Sequence, residues 1–144
     1  MKRKRRTEIL IKDTSGLASE CAEAIRELYP VMEIQPPQEG LVMVKLREQA
    51  RNSLFYLGEV LVTEAKVRIN GYPGLGLVRG NNKELAGDLA VIDAAWLAGL
   101  EETAEWEILL LAAEEENIIR EQEENGKVLE TKVDFASMQE EDYV

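Results

Sequence analysis

The sequence predicts an α+β protein. An antiparallel sheet of three to four strands, at about residues 31–79, has two helices before it, two helices after it and an extended C-terminal tail. Glu39–Gly80 is the only long segment with runs of β-branched, aromatic and aliphatic residues broken by polar residues or glycine, a pattern typical of strands. Asn70-Gly71 marks a tight hairpin, because both residues tolerate positive φ. In the flanking segments, apolar residues recur at spacings of three and four, which indicates helices.

The strands are predicted in order along this segment. Val31–Gln35 forms a short first strand, and Pro36-Pro37 is a rigid connector suited to a sheet edge. In Leu41–Arg47, one face carries Val42, Val44 and Leu46, and the other carries Leu41, Met43, Lys45 and Arg47. Glu64–Ile69 alternates between charged and apolar residues. Leu54–Val62 is apolar on both faces, which predicts a central strand covered on two sides.

Four basic residues share the polar face of these strands: Lys45, Arg47, Lys66 and Arg68. The simpler interpretation is a solvated sheet face, as in ordinary antiparallel sheets. The alternative is a basic patch that docks an acidic partner or a polyphosphate.

Two helices are predicted before the sheet. The first is Thr7–Asp13, and the basic residues 2–6 in front of it read as a frayed, solvated terminus. The second runs from an N-cap at Ser15 to about Tyr29, where Pro30 stops it. Cys21 lies on the apolar stripe of this helix and is interpreted as a small core residue rather than a reactive thiol.

The helices after the sheet are predicted from their caps. Asn81 caps a helix that Gly99 ends, and Asp93, beside its apolar stripe, reads as a solvated or hydrogen-bonded acid. A long acidic helix follows over Glu101–Asn125 and ends at Gly126. Its simplest placement is against the body with the glutamates in water, and a partner helix against Leu109–Leu111 is the alternative. Residues 127–144 are predicted to be a flexible or partner-docking tail.

The composition limits the class of function. The length of 144 residues favours one domain, helical over 1–30, sheet over 31–80, helical over 81–126 and tail over 127–144. A single cysteine favours a reducing cytoplasm, and the lack of a long apolar run argues against a membrane span. Residues 101–144 carry 15 acids and 3 bases, which would repel nucleic acid. With no histidine, an autonomous hydrolase or metalloenzyme is disfavoured.

Glycines cluster just before the third predicted helix, at Gly71, Gly74, Gly76 and Gly80. A phosphate-binding loop needs Lys-Ser or Lys-Thr after its last glycine, and Asn81-Asn82 stands there instead. Turns and bulges are therefore the better interpretation of these glycines.

A series of short motifs runs along the chain, carried by Glu39, Gly40, Gly58, Glu59, Thr63, Arg68, Gly71, Gly74, Gly80, Asp93, Lys132, Asp134 and Phe135. This series resembles the PhnG family of the bacterial carbon–phosphorus lyase system, which degrades phosphonates. Each motif is weak alone, but their order and spacing span most of the chain. The resemblance makes these residues candidate contacts for partner subunits or phosphate.

The resemblance also implies a function. PhnG proteins are subunits of a complex with PhnH, PhnI and PhnJ, and act with the ATPase-like PhnL. The family is implicated in making α-D-ribose 1-methylphosphonate 5-triphosphate from ATP and methylphosphonate. The chain is thus expected to be a non-catalytic or activating subunit of a transferase complex, and a homodimer within that complex is left open. On this reading it binds no cofactor or metal alone, and ATP is a substrate of the assembled complex.

Two other functions stay open from the residues. One is a divergent stand-alone scaffold that associates with itself through the helix around Trp106–Ala113. The other is an enzyme in its own right that holds a triphosphate on the basic patch, although a nucleophile or general base would still be needed.

Overall fold

Over residues 1–142, the chain forms two helices, then three strands, then two helices, in the predicted order. The computed structural model describes the backbone of residues 1–142 and the side chains of residues 1–126. The elements are α1 (Arg3–Lys12), α2 (Leu17–Leu28), β1 (Val31–Arg47), β2 (Leu54–Ile69), β3 (Tyr72–Arg79), α3 (Lys83–Ala98) and α4 (Glu102–Asp142). The sheet is antiparallel throughout, in the order β1-β2-β3. The α+β class is confirmed.

Two strands are longer than the sequence pattern suggested. The two predicted strands on either side of Pro36-Pro37 form the single strand β1, and those on either side of Thr63 form β2. Register shifts between Glu33 and Gln38 accommodate the prolines. Proline cannot donate to a strand ladder, and it is tolerated here because β1 is an edge strand.

The predicted hairpin at Asn70-Gly71 is confirmed. Ile69 pairs with Tyr72, so these two residues alone make the turn between β2 and β3. Asn70 has φ 51° and Gly71 has φ 83°, and such positive angles at both turn positions match the right-handed twist of the flanking strands.

Helix α3 is the centre of the core, and its residues from Ala86 to Ala95 are all buried. One face lies directly against β3, where Gly74 sits against Ala90 and Ala94, and Gly76 against Ala86. Only residues without bulky side chains on both elements allow the two backbones to come this close. The opposite face, with Leu89 and Ile92, joins the apolar cluster that α1 and α2 supply.

Cys21 belongs to that cluster, with 5 % of its surface exposed, which confirms its assignment to the core. Burial raises the pKa of its thiol to about 12, and the neighbouring Glu20 and Asp13 charges act in the same direction. We therefore expect the folded protein to react with a thiol reagent at pH 8 far more slowly than the urea-unfolded chain, since the thiolate is the reactive form. Reaction of the native protein at the rate of the unfolded chain would contradict this placement.

The helix starts differ slightly from the predicted ones. Ser15 is not the N-cap of α2, because Gly16 holds that position with φ 81° and the Asp13 carboxylate accepts from the Leu17 N–H at 3.0 Å. Asn82, not Asn81, caps α3 by accepting from the Leu85 N–H at 3.1 Å. The predicted stop at Gly99 is confirmed by its left-handed φ of 68°.

Helix α4 corrects two expectations. It continues through Gly126 to Asp142, so neither a stop at this glycine nor an extended tail is found. A single interior glycine costs only about 1 kcal/mol, which good helix formers on both sides can offset.

The basic N-terminus is not frayed but forms α1, which holds α4 on the body. Arg5 pairs with Glu114 at 2.6 Å and Lys12 with Glu121 at 2.7 Å. Between these ion pairs, the buried Asn117 side chain donates to the Ile9 carbonyl at 3.2 Å. The prediction of a helix packed on the body is thus right for this face of α4.

Candidate functional site: a projecting apolar arm

The distal halves of β1 and β2 form a two-stranded arm, Gly40–Leu61. Strand β3 pairs with β2 only between Val62 and Ile69, so within residues 1–142 no third strand joins the sheet beyond that point. Leu54 on β2 pairs with Arg47 on β1 at the tip. At about 3.3 Å per residue, the arm extends about 25 Å past the three-stranded sheet.

The arm is apolar on both faces and open to solvent on both. Its side chains with at least two-fifths of their surface exposed are Leu41, Val42, Met43, Leu46, Leu54, Phe55, Tyr56, Leu57 and Leu61. The prediction that Leu54–Val62 is covered on two sides is therefore wrong for this chain alone. An isolated two-stranded ribbon is marginal in water, and a continuous exposed apolar patch of this kind marks an interaction surface.

The tip and the middle of the arm have defined local structure. The register shift at Val44 leaves Leu57 as the extra residue of a bulge on β2. The tip is closed by backbone hydrogen bonds between Glu48 and Ser53 and between Asn52 and Glu48, both 2.8 Å. A bulge next to a free strand edge is a common protection against unwanted pairing.

Four of the family-motif residues belong to the arm or its base. Gly40 pairs with Val62 at the base, and Glu39 precedes it. Gly58 and Glu59 lie in the middle of the arm, opposite Val44 and Met43. These residues are therefore placed on the surface that is open to a partner.

The basic residues of the predicted patch do not come together. Lys45 and Arg47 pair with Tyr56 and Leu54 near the tip, whereas Lys66 and Arg68 lie on the three-stranded part of β2. Tyr56 and Lys66 are ten residues apart on one strand, which separates the two pairs by about 33 Å. Lys66 also pairs with Glu64 at 3.3 Å. A single triphosphate cannot contact both pairs.

Several other motif residues have structural roles in the body. Thr63 is fully buried; its hydroxyl donates to the Gly80 carbonyl at 2.7 Å and accepts from the Asn82 N–H at 3.1 Å. This pair of hydrogen bonds fixes the chain between β3 and α3, where Gly80 turns with φ 84°. Gly71 serves the hairpin and Gly74 the close contact with α3, as described above.

Thr63→Val keeps the shape of the side chain but removes its hydroxyl group. We expect it to lower the free energy of unfolding by about 1–3 kcal/mol, because the Gly80 carbonyl and the Asn82 N–H then lose their hydrogen-bond partner. Thr63→Ser is the matched control, since it keeps the hydroxyl and loses only one methyl group, worth about 1 kcal/mol. Urea denaturation of both variants measures the difference. A valine variant more stable than the serine variant would contradict this role.

Asp93 is also structural: of the two predicted alternatives, a solvated acid and a hydrogen-bonded acid, the structure shows the hydrogen-bonded one. Its carboxylate, 4 % exposed, accepts from Arg3 Nε at 2.9 Å, Arg6 Nη2 at 3.1 Å and the Leu75 N–H at 2.9 Å. The Arg6 guanidinium lies 4.9 Å from the ring centre of Trp96. Burial lowers the pKa of Arg6, and the Asp93 charge opposes that shift. This cluster, the Asp93 clasp, joins α1, α3 and β3.

A second exposed apolar surface lies on α4, opposite the face that packs on α1. Trp106, Leu110, Ala113 and Asn117 are buried on the inner side. About half a turn around the helix from these buried residues lies an exposed surface, in which Ile108 is 72 % and Ile119 is 51 % exposed. We call this surface, formed by Ile108, Leu111, Ala112 and Ile119, the outer face of α4. In the predicted partner site Leu109–Leu111, Leu109 and Leu111 are exposed, whereas Leu110 is buried on the inner side.

Arg68, the last of the described motif residues, is exposed on the open face of the sheet, opposite Met32 and Pro73. Lys132, Asp134 and Phe135 fall outside the residues whose side chains are described. Within the described part of the chain, no group of three acidic, cysteine or histidine side chains is arranged to hold a metal ion. None of the helices described is both long and apolar enough to cross a membrane.

The fold is that of an α+β protein, and its two exposed apolar surfaces, the arm and the outer face of α4, are typical of a subunit of a larger complex. The family model for phosphonate metabolism protein PhnG matches residues 1–140, and the chain therefore belongs to the PhnG family. It is 33% identical over 136 residues to a protein of Rhizobium meliloti (strain 1021), the alpha-D-ribose 1-methylphosphonate 5-triphosphate synthase subunit PhnG. That match covers 90% of this chain and 83% of the relative.

Proposed function

We propose that this chain is a non-catalytic or activating subunit of a cytoplasmic phosphonate-processing complex. With its partners it supports transfer of the ribose triphosphate moiety of ATP to methylphosphonate. The name of the Rhizobium relative, a subunit of the corresponding synthase, supports the reaction. The observation that carries the subunit role is the arm, whose apolar residues are exposed on both faces.

The buried charged groups support the same proposal, because they are engaged in holding the fold. Asp93 is bound by two arginines and a backbone N–H, and Asp88 pairs with Arg26 at 2.8 Å. The alternative of a triphosphate-binding enzyme is weakened by the distance of about 33 Å between the two halves of the basic patch. Chemistry would then reside in partner subunits of the PhnI, PhnH, PhnJ and PhnL types, with ATP as a substrate of the assembly and no cofactor on this chain.

Reconstitution tests this proposal. The partner subunits are expressed with and without this chain, and adenine release from ATP is followed in the presence of methylphosphonate. We expect the chain to co-purify with the partners and adenine to be released only when the chain is included. Release by the isolated chain, or equal release by the partners without it, would contradict the proposal.

A further inference from the structure

A cleft lies on the helical side of the sheet, between the start of β1 and the helices α2 and α3. Helix α3 packs directly on β3, whereas β1 lies on the other side of β2, so the inner face of β1 is left partly uncovered. The cleft has a volume of about 420 Å³, which is within the range of small-molecule sites. Its apolar floor is formed by Ala65, Val67 and Val91.

Gly87, inside α3, keeps this cleft open. A methyl group at Gly87 would meet the Pro37 Cγ atom at 3.6 Å and the Arg26 Nη2 atom at 3.7 Å, which are ordinary contact distances. The backbone of Gly87 does not have positive φ, so alanine would be allowed there and would suit a helix interior better. Unlike Gly74 and Gly76, this glycine is therefore not required by the packing of the fold. Its missing side chain provides space in the cleft.

Two groups of opposite charge line the cleft. Arg26 donates from Nη1 to the buried Asp88 carboxylate at 2.8 Å, and its Nη2 lies beside Gly87. The guanidinium is thus held by one nitrogen and presents a second nitrogen to the cleft. The wall formed by β1 contributes the exposed Glu33. Strand β1 has register shifts on both sides of Gln35, and such irregularities often re-aim side chains beside a binding site.

The groups that line the cleft define the chemistry of a ligand. A guanidinium binds a carboxylate, a carboxylate binds an ammonium group, and an apolar floor binds an aliphatic body. We propose that the cleft binds a free α-amino acid with an aliphatic side chain, its carboxylate on Arg26, its ammonium group on Glu33 and its side chain on the apolar floor. Both charges of such a ligand meet an opposite charge, which a simple anion or a simple cation would not achieve. The inference goes beyond the proposed function, which assigns no ligand to this chain alone.

Calorimetric titration of the full-length chain tests the class of ligand. L-leucine is the probe, and isocaproate and isoamylamine, which each lack one of its two charged groups, are the controls. We expect saturable binding of leucine at millimolar concentration. Each control should bind at least about 10-fold more weakly, because it loses a hydrogen bond between charged groups. Failure of leucine to bind at millimolar concentration, or equal affinity for all three compounds, would overturn the proposal.

Gly87→Ala separates the ligand site from the fold. We expect this variant to melt about 2–4 °C above the wild type, because alanine favours the helix. It should bind leucine about 10-fold more weakly, because the added methyl group takes up space beside Arg26 Nη2. A variant that melts below the wild type, or that binds leucine equally well, would contradict the role of Gly87 and with it the proposal.

Arg26→Lys and Glu33→Gln test the two charged contacts. Lysine keeps the charge beside Asp88 but lacks the second nitrogen, so leucine should bind about 10-fold more weakly. Glu33→Gln should weaken leucine binding by about the same 10-fold and should not weaken isocaproate, which has no ammonium group. Glu27→Gln is the matched control, since Glu27 is exposed on α2 and does not line the cleft. An equal loss of leucine binding in the Glu27 and Glu33 variants would be an effect of net charge and would refute the site.

These outcomes are separable from those for the proposed function, because they are measured on this chain alone. A chain that fails to bind leucine but supports adenine release with the partner subunits would refute the ligand and leave the subunit role intact. A chain that binds leucine in the cleft but has no effect on adenine release would do the reverse.

Discussion

Asp93→Asn is expected to lower the free energy of unfolding by about 3–5 kcal/mol, because it leaves the buried Arg6 guanidinium without its counter-charge. The substitution preserves the size of the side chain and an oxygen for the Leu75 N–H, so the loss is mainly one of charge. The melting temperature should fall by about 10 °C or more. Thermal unfolding followed by circular dichroism measures it.

Asp88→Asn is the matched control on the same helix. Asp88 is as buried as Asp93, but burial raises its pKa despite the hydrogen bond from Arg26. Because the pKa of Asp88 is raised in the folded state, keeping its carboxylate ionised destabilises the fold at neutral pH. This destabilisation is lost as the pH falls through the raised pKa toward the ordinary value of an aspartate. Arg26 is 42% exposed and can be hydrated when its partner is neutral. We expect Asp88→Asn to cost about 1 kcal/mol or less; equal losses at the two positions would contradict the Asp93 clasp.

Gly76→Ala should be about as damaging, at about 3 kcal/mol or more. The added methyl group would overlap the Ala86 carbonyl oxygen and lie 2.8 Å from the Ala90 nitrogen. Both are backbone atoms of α3, so the helix would have to move away from β3 and open the core around it. Urea denaturation gives the loss, and near-ultraviolet circular dichroism reports the displaced packing around the tryptophans.

Gly40→Ala is the control for this change. A methyl group at Gly40 meets nothing within 4 Å, and the backbone there does not have positive φ. Its effect on stability should stay within about 0.5 kcal/mol. If alanine were tolerated equally at both positions, the close contact of α3 with β3 would be wrong.

Much of the fold could be predicted because its signals are local. Asn70-Gly71 specifies its own hairpin, Gly99 ends α3, and the stripe containing Cys21 indicates a buried helix face. Such features depend on residues within a few positions of one another. The order of helices and strands followed from them.

The contacts that proved hardest to predict join residues distant in sequence. Arg6 and Asp93 are 87 positions apart, and nothing near either residue signals the other. The local expectations were a solvated terminus and a solvated or hydrogen-bonded acid whose partner could not be named, and the fold brings Arg6 and Asp93 together. Gly74 and Gly76 likewise read as turn or bulge glycines, because the helix that needs their missing side chains lies ten or more residues further on.

The candidate site shows the same limit. The sequence pattern of an apolar strand is the same whether the strand is buried by its own chain or by a partner chain. Leu54–Val62 was therefore expected to be buried on both faces, although most of it is exposed in this chain. The spacing of Lys45, Arg47, Lys66 and Arg68 predicts that these side chains share a face of the sheet, but it does not predict how far apart they lie along the strands. Only the register, with Lys45 opposite Tyr56 and Lys66 opposite Gln35, separates them.

We expect another chain to cover the arm when the protein functions. Leu57→Cys tests it most directly, since Leu57 is 53 % exposed on the arm and the native Cys21 is buried. The rate of labelling by a bulky maleimide is compared between the dilute, dissociated chain and the assembled complex. We expect rapid labelling of the dissociated chain and strong protection in the assembly; equal rates in both states would contradict the claim.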